Sequence, residues 1–96
     1  MGTLRFIHCA DLHLDRPFHG LEDVPSEIAV RVRESTFQSF HRIVDTAITR
    51  NVDFIIIAGD VFDDENCSIR AQVRFRDEMN RLAERGIEAF VIHGNH

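Results

Sequence analysis

The sequence predicts an α/β fold, a β-α-β-α-β unit with its strands parallel in one layer of an α/β sandwich. Three observations predict it. Short apolar runs recur at Phe6 to Cys9, Phe54 to Ala58 and Ala89 to Ile92. The two stretches between those runs carry helical periodicity. Each run is followed by a short polar motif: Asp11-Leu12-His13, Gly59-Asp60 and Gly94-Asn95-His96. Strands alternating with helices call for adjacent parallel strands joined by right-handed crossovers. In open α/β sheets, ligands bind beyond the carboxyl ends of the strands. All three motifs fall at such ends.

Residues 4–9 read as the first strand. Over residues 30–50, at about 100° per residue, Phe37, Phe40, Ile43, Val44, Ala47 and Ile48 share one arc. Arg31, Glu34, Gln38, Arg42 and Asp45 fall opposite, and Pro25-Ser26 is a start signal slightly upstream. Ile55-Ile56-Ile57-Ala58 is a continuous run of the kind that fills a strand buried on both faces. Ser68 has the chemistry of an N-cap for a second helix running to about Arg85 and stopped by Gly86. Its expected inward face is Ala71, Phe75, Met79, Leu82 and Ala83. Residues 87–93 complete the unit. Three strands with two helices leave a sheet edge and one face uncovered, so the isolated chain should be marginally stable.

Ninety-six residues bound the chain to one small domain, without a visible linker, repeat or low-complexity stretch. No apolar run approaches the roughly 20 residues needed to span a bilayer, so no membrane partner is expected. The first residues lead straight into a strand-like run with no signal-peptide pattern. Met1-Gly2 lacks the Ser or Thr at position 6 that myristoylation favours, since that position is Phe6. Cys9 and Cys67 make neither a C-x-x-C pair nor a disulfide framework, and Cys9 reads as a buried small hydrophobe. A reducing, cytoplasmic setting fits both. A formal net charge of −5 argues against broad electrostatic binding to nucleic acid. Bound divalent cations would cancel part of that charge locally, so a nucleic-acid substrate is not excluded.

The motifs carry metal and proton chemistry. Asp11 and His13 lie two apart on a chain leaving a strand, which lets both side chains face one side. A carboxylate with an imidazole suits a borderline divalent ion such as Mn²⁺, Fe²⁺ or Zn²⁺. Gly59 lets the backbone pass close to a ligand, and the two oxygens of Asp60 can bridge two metals. Asn95 can offer a carbonyl oxygen, and His96 can protonate a leaving-group oxygen. Two metals about 4 Å apart would clamp a phosphate, activate a water and stabilise the departing oxygen.

Asp11-x-His13, Gly59-Asp60 and Gly94-Asn95-His96 resemble the first three motifs of the calcineurin-like metallophosphoesterases. His8-Cys9-Ala10-Asp11-Leu12-His13-Leu14 and Ala58-Gly59-Asp60-Val61-Phe62-Asp63 look closer to the SbcD-type DNA repair exonucleases, including the YhaO-like subgroup. Leu14 favours that branch over the protein phosphatases, whose motif usually continues with glycine, and Phe62 points the same way. The resemblance spans essentially the whole chain. It implies a metallophosphoesterase α/β sandwich, with Asp11, His13 and Asp60 binding one metal and Asp60 and Asn95 the second. His96 would be the catalytic histidine. The chain lacks the family's acidic residue after Gly-Asn-His, its later single histidine and its final Gly-His-x-His pair. Residues 1–96 therefore read as the N-terminal part of a metallophosphoesterase nuclease domain, truncated after the third motif. Weak metal binding and little turnover are expected from that portion. The resemblance further implies hydrolysis of DNA phosphodiester bonds, two metal ions with Mn²⁺ preferred, a cytoplasmic location, a homodimer, and a coiled-coil ATPase partner.

Three other readings compete. One is a calcineurin-like phosphoesterase acting on nucleotides or small phosphate esters. Another is an inert truncated product. The third, a nucleotide-binding α/β domain, is disfavoured because no G-x-G-x-x-G or Walker pattern follows the first strand. Among the remaining polar residues, His8 and His93 read as sheet histidines and His19 as a solvated loop residue. His41 falls at the edge of the first helix's apolar arc. Asp63, Asp64 and Glu65 read as a solvated acidic loop. Arg70, Arg74, Arg81 and Arg85 form a stripe bordered by Asp77, Glu78 and Glu84, expected to be a salt-bridged solvent face.

Overall fold

In a computed structural model, residues 2–16, 24–62 and 67–93 are described. They form β1 (Phe6–Ala10), α1 (Ser26–Thr49), β2 (Phe54–Gly59), α2 (Ile69–Glu84) and β3 (Glu88–His93). The strands make one parallel sheet in the order β1-β2-β3, the β-α-β-α-β arrangement expected from sequence. Phe54 pairs with Phe6 on one side and Glu88 on the other, which sets the register of the whole layer.

The helix boundaries follow local chemistry. Ser68 caps α2 by accepting a hydrogen bond from the Ala71 N–H at 3.0 Å. At the other end, Gly86 adopts φ +71° and the Ile87 N–H returns to the Leu82 carbonyl at 3.0 Å. That is the turn a C-terminal glycine makes possible. Helix α1 starts directly after Pro25 and ends the same way, with Asn51 at φ +52° and the Val52 N–H bonded to the Ala47 carbonyl.

Alternation along the strands sends odd and even residues to opposite faces. On one face Ile55 and Ile57 are completely buried beneath Phe37, Phe40, Val44 and Ala47 of α1 and Ala71 and Leu82 of α2. On the other, no described residue forms a covering layer. Phe6, Phe90 and Ile92 lie exposed there, with Phe6 stacked on Phe54 and Phe90 edge-on to it. Ile56 and Ala58 are only half-buried, so β2 is covered on one face rather than two. Ala83, expected inward, is exposed at the end of α2. No described helix is long and apolar enough to cross a membrane.

The arginine stripe of α2 is salt-bridged, as expected, to Glu78 of its own helix, and it also reaches acids on other elements. Arg74 reaches Glu34 of α1 at 2.9 Å, and Arg81 pairs with Asp45 of α1 as well as Glu78. Glu78, nearly buried, also meets Nδ1 of His41 at 2.7 Å. The guanidinium of Arg74 lies 4.5 Å from the centre of the Phe37 ring. The stripe therefore lines the boundary between the two helices. Acidic residues of α1, distant in sequence, compete successfully with Asp77 and Glu84.

The hydrogen bond from Arg81 outweighs an opposing effect of burial and, with the charges of His41 and Arg81, lowers the Asp45 carboxyl below its usual value. A depressed carboxylate contributes stability above its unfolded value of about 3.9, and that contribution is lost as pH falls through the folded value. Asp45→Asn should therefore lower stability slightly near neutrality and flatten its decline below about pH 4, read by denaturant unfolding at a series of pH values. An acid limb as steep as wild type would show that Asp45 does not contribute to it.

Candidate functional site

The sheet's carboxyl edge is built by backbone pairing that runs on past β1 and β2. The Asp11 N–H donates to the Ala58 carbonyl at 2.9 Å, His13 to Asp60 at 3.1 Å and Leu14 to Val61 at 2.9 Å. An isolated bridge joins Leu14 to Phe62. The first two polar motifs are thereby laid side by side, although 49 residues separate Asp11 from Asp60. The Asp60 N–H donates to Oδ1 of Asp11 at 3.2 Å. Gly59, at φ +78°, makes room for that approach: a Cβ there would sit 2.0 Å from the same oxygen.

The chain leaving β1 is unusual. Asp11, His13 and Asp15 all take positive φ, at +55°, +43° and +63°. Aspartate and histidine tolerate this left-handed region better than most residues, but it remains uncommon, and clustered instances occur at functional sites. Between them, Leu12 packs against the core and Leu14 is wholly buried. Polar and apolar side chains are thus sorted to opposite sides while the backbone coils.

Within this arrangement, Nδ1 of His13 is buried and has no hydrogen-bond partner. A buried ring nitrogen without a partner is costly unless something else satisfies it. With the Asp11 and Asp60 carboxylates on the same edge, the donors suit a divalent ion of oxygen and nitrogen preference. The fit is partial. Among the described residues, no three His, Cys, Asp or Glu side chains converge as a group able to hold a metal. Asn95 and His96 lie outside the described residues, as do His19, Asp63, Asp64 and Glu65. His93 ends β3 opposite Gly59, exposed on the same edge, and His8 is exposed on the uncovered sheet face.

Asp15 was not singled out in the sequence, and it is the most thoroughly anchored side chain of the site. It is only 2% exposed. Its Oδ1 accepts from Arg70 at 2.6 Å, and its Oδ2 from the Ser68 hydroxyl at 2.8 Å. Nε of Arg33 lies 3.2 Å from Oδ1 without the alignment of a hydrogen bond, a Coulombic contact. Burial alone would raise the Asp15 carboxyl; the Arg70 and Ser68 hydrogen bonds and the Arg33 and Arg70 charges outweigh it and hold the carboxyl below its ordinary value. The available sequence signal was an aspartate two residues past His13, with an arginine stripe on α2 in need of counter-charge. Cys9, half-buried beneath the same edge, has its thiol pushed up by that burial, consistent with a packing role.

Gly59→Ala should cost at least about 2 kcal/mol, from the left-handed backbone and from displacement of the Asp11 carboxylate. Denaturant unfolding of the two chains measures this. A loss below about 0.5 kcal/mol would mean that the close approach at Gly59 is not needed.

Comparison with known proteins adds the relationship. The sequence profile of the calcineurin-like phosphoesterases matches residues 4–96. The chain is 50% identical over its full length to the "Uncharacterized metallophosphoesterase YhaO" of Bacillus subtilis, covering 24% of that protein. It is 32% identical over 92 residues to the "DNA double-strand break repair protein Mre11" of Aeropyrum pernix, covering 96% of this chain and 20% of that protein. The Mre11 of Thermoplasma acidophilum is 42% identical over 65 residues, 67% of this chain and 17% of its own length. The chain thus spans about a quarter or less of the relatives it matches. With its parallel β-α-β-α-β layer and with Asp11, His13 and Asp60 brought to one sheet edge, the chain belongs to the calcineurin-like phosphoesterases.

Proposed function

We propose that residues 1–96 form the N-terminal part of a metal-dependent nuclease domain that hydrolyses DNA phosphodiester bonds. The observation that carries this reading is the juxtaposition of Asp11 and His13 with Asp60 by backbone pairing, in a chain similar to proteins named for DNA double-strand break repair. In this reading Asp11, His13 and Asp60 hold one divalent ion, and Asp60 with Asn95 holds a second. When bound, such ions supply Lewis acidity and neutralise charge on the phosphate. The chain's own contribution is orientation. Gly59 lets the Asp11 carboxylate reach the Asp60 N–H, and His13, on the left-handed turn, keeps a buried Nδ1 that no described group satisfies. His96, next to Asn95, is assigned the proton delivered to the leaving oxygen. Mn²⁺ as the preferred ion, a cytoplasmic setting, a homodimer and a coiled-coil ATPase partner complete the proposal and follow from the resemblance to SbcD-type exonucleases.

The test is Mn²⁺-dependent cleavage of linear DNA by the 96-residue chain and by a longer polypeptide that includes the later histidine motifs of the family. Cleavage is expected from the longer form, reduced at least about 100-fold by Asp60→Ala. Hydrolysis of nucleotides or small phosphate esters without DNA cleavage would instead favour the alternative phosphoesterase. Full activity in the short form, or in the Asp60→Ala variant, would overturn the ligand assignment.

A further inference from the structure

We propose that Asp15 is a positioning residue: its carboxylate fixes the far end of the turn that carries Asp11 and His13, and so sets the aim of the His13 imidazole toward the metal. The inference rests on the metal-site reading above.

Four contacts from two helices converge on this one residue. Its N–H donates to Oγ1 of Thr36 at 2.9 Å, and the Thr36 hydroxyl in turn donates to the Arg33 carbonyl at 2.7 Å. Its carboxylate takes Arg33 from α1, Arg70 from α2, and the hydroxyl of Ser68. Ser68 is the cap of α2, so the cap relays the first turn of that helix onto the turn after β1: the Ala71 N–H donates to Oγ, and Oγ–H donates to Asp15. The partial positive charge of a helix N-terminus favours a carboxylate in that place.

The near end of the turn is held differently. Asp11, His13 and Leu14 are paired to β2 and its continuation through their backbone groups, and of the two polar side chains only that of Asp11 takes a hydrogen bond among the described residues, from the Asp60 N–H. Beyond Leu14, among the described residues, the polar contacts of the turn to the helices are those of Asp15, and the turn is closed on itself by the Arg16 N–H donating to the His13 carbonyl at 3.2 Å. His13 therefore sits between a backbone ladder on one side and an electrostatic tie on the other.

A buried ion pair is weak grounds for stability, because desolvation offsets most of the attraction and an apolar replacement is often as stable. A carboxylate here calls for a reason beyond folding. Groups that orient a metal ligand from behind typically change metal affinity or activity about 10- to 100-fold when removed.

The experiment measures Mn²⁺ binding to the intact protein by electron paramagnetic resonance of the free ion, alongside the melting temperature without metal. The variants are Asp15→Asn, Asp15→Gly, Arg70→Met and Asp60→Ala. Asp15→Asn keeps the shape and loses the charge, and should weaken Mn²⁺ binding at least about tenfold. Asp15→Gly relaxes the left-handed backbone yet should be equally weakened, since the carboxylate rather than φ is at issue. Arg70→Met should lie between these variants and wild type, and it serves if Asp15→Asn does not fold. Wild-type Mn²⁺ affinity in Asp15→Gly, or a melting temperature that falls in Asp15→Asn and Arg70→Met with no change in Mn²⁺ affinity, would overturn the proposal and leave Asp15 a structural tie. Asp60→Ala separates the two layers of the argument. If it leaves Mn²⁺ affinity unchanged, the metal-site reading falls and this one with it; if it weakens binding while the Asp15 variants do not, only the positioning role falls.

Discussion

The pairing of β1 with β2 does not stop where the strands do, and the geometry of the carboxyl edge depends on its continuation. Three backbone hydrogen bonds carry the parallel ladder through Asp11, His13 and Leu14 on one side and Ala58, Asp60 and Val61 on the other. Because parallel register is fixed by the strands behind it, Asp11 cannot meet any residue but Gly59-Asp60 without disrupting the pairs from Phe6 to Ala10. The Arg5–Asp53 exchange, with N···O distances of 2.8 and 2.9 Å, pins the same register at the opposite end of the strands. Placement of the polar groups is thus a consequence of sheet formation, and the polar side chains need supply only local aim.

Behind the sheet, two kinds of interaction divide the labour. Burial of Phe37, Phe40, Val44, Ile55, Ile57 and Leu82 provides the cohesive energy, at about 25 cal/mol per Å² of apolar surface removed from water. The ion pairs between α1 and α2 are partly solvent-exposed, and pairs of that kind add little to stability. Their value lies in direction. Arg74 and Arg81 of α2 meet Glu34 and Asp45 of α1, which sets the slide and rotation of one helix against the other. Since Ser68 and Arg70 are also ligands of Asp15, the setting of α2 is transmitted to the turn after β1. Phe62 contributes to the same coupling by packing edge-on to Phe75 of α2.

Much of this was legible in the residues. Alternating apolar runs, the serine cap at Ser68 and the glycine stop at Gly86 act through neighbours in sequence, so pattern alone locates them. The association of Asp11 with Asp60 was legible because both follow strands of a parallel unit. What escaped was decided by distance. The partners of Asp15 lie up to 55 residues away, and nothing local marks it as buried. The arginine stripe of α2 was read against the acids on its own helix, of which Glu78 does pair with Arg81, while Glu34 and Asp45 of α1 supply the partners that sequence proximity did not indicate. Ile56 and Ala58 looked identical to Ile55 and Ile57 by composition, and only the position of both helices on one side of the sheet distinguishes them.

The alternation from Asp11 to Asp15 has a consequence for how this segment can vary. Odd positions hold left-handed backbone and polar side chains, while the even positions Leu12 and Leu14 face the core. Replacing any one residue disturbs one position. Adding or removing a single residue would shift the phase of all that follow. A leucine would then occupy a conformation it disfavours, and a carboxylate would be driven among Phe37 and Val44 without Ser68 or Arg70 to receive it. The turn should therefore accept changes of spelling far more readily than changes of length, and insertions that other loops of such folds absorb at the surface would here break the hinge between sheet and helices.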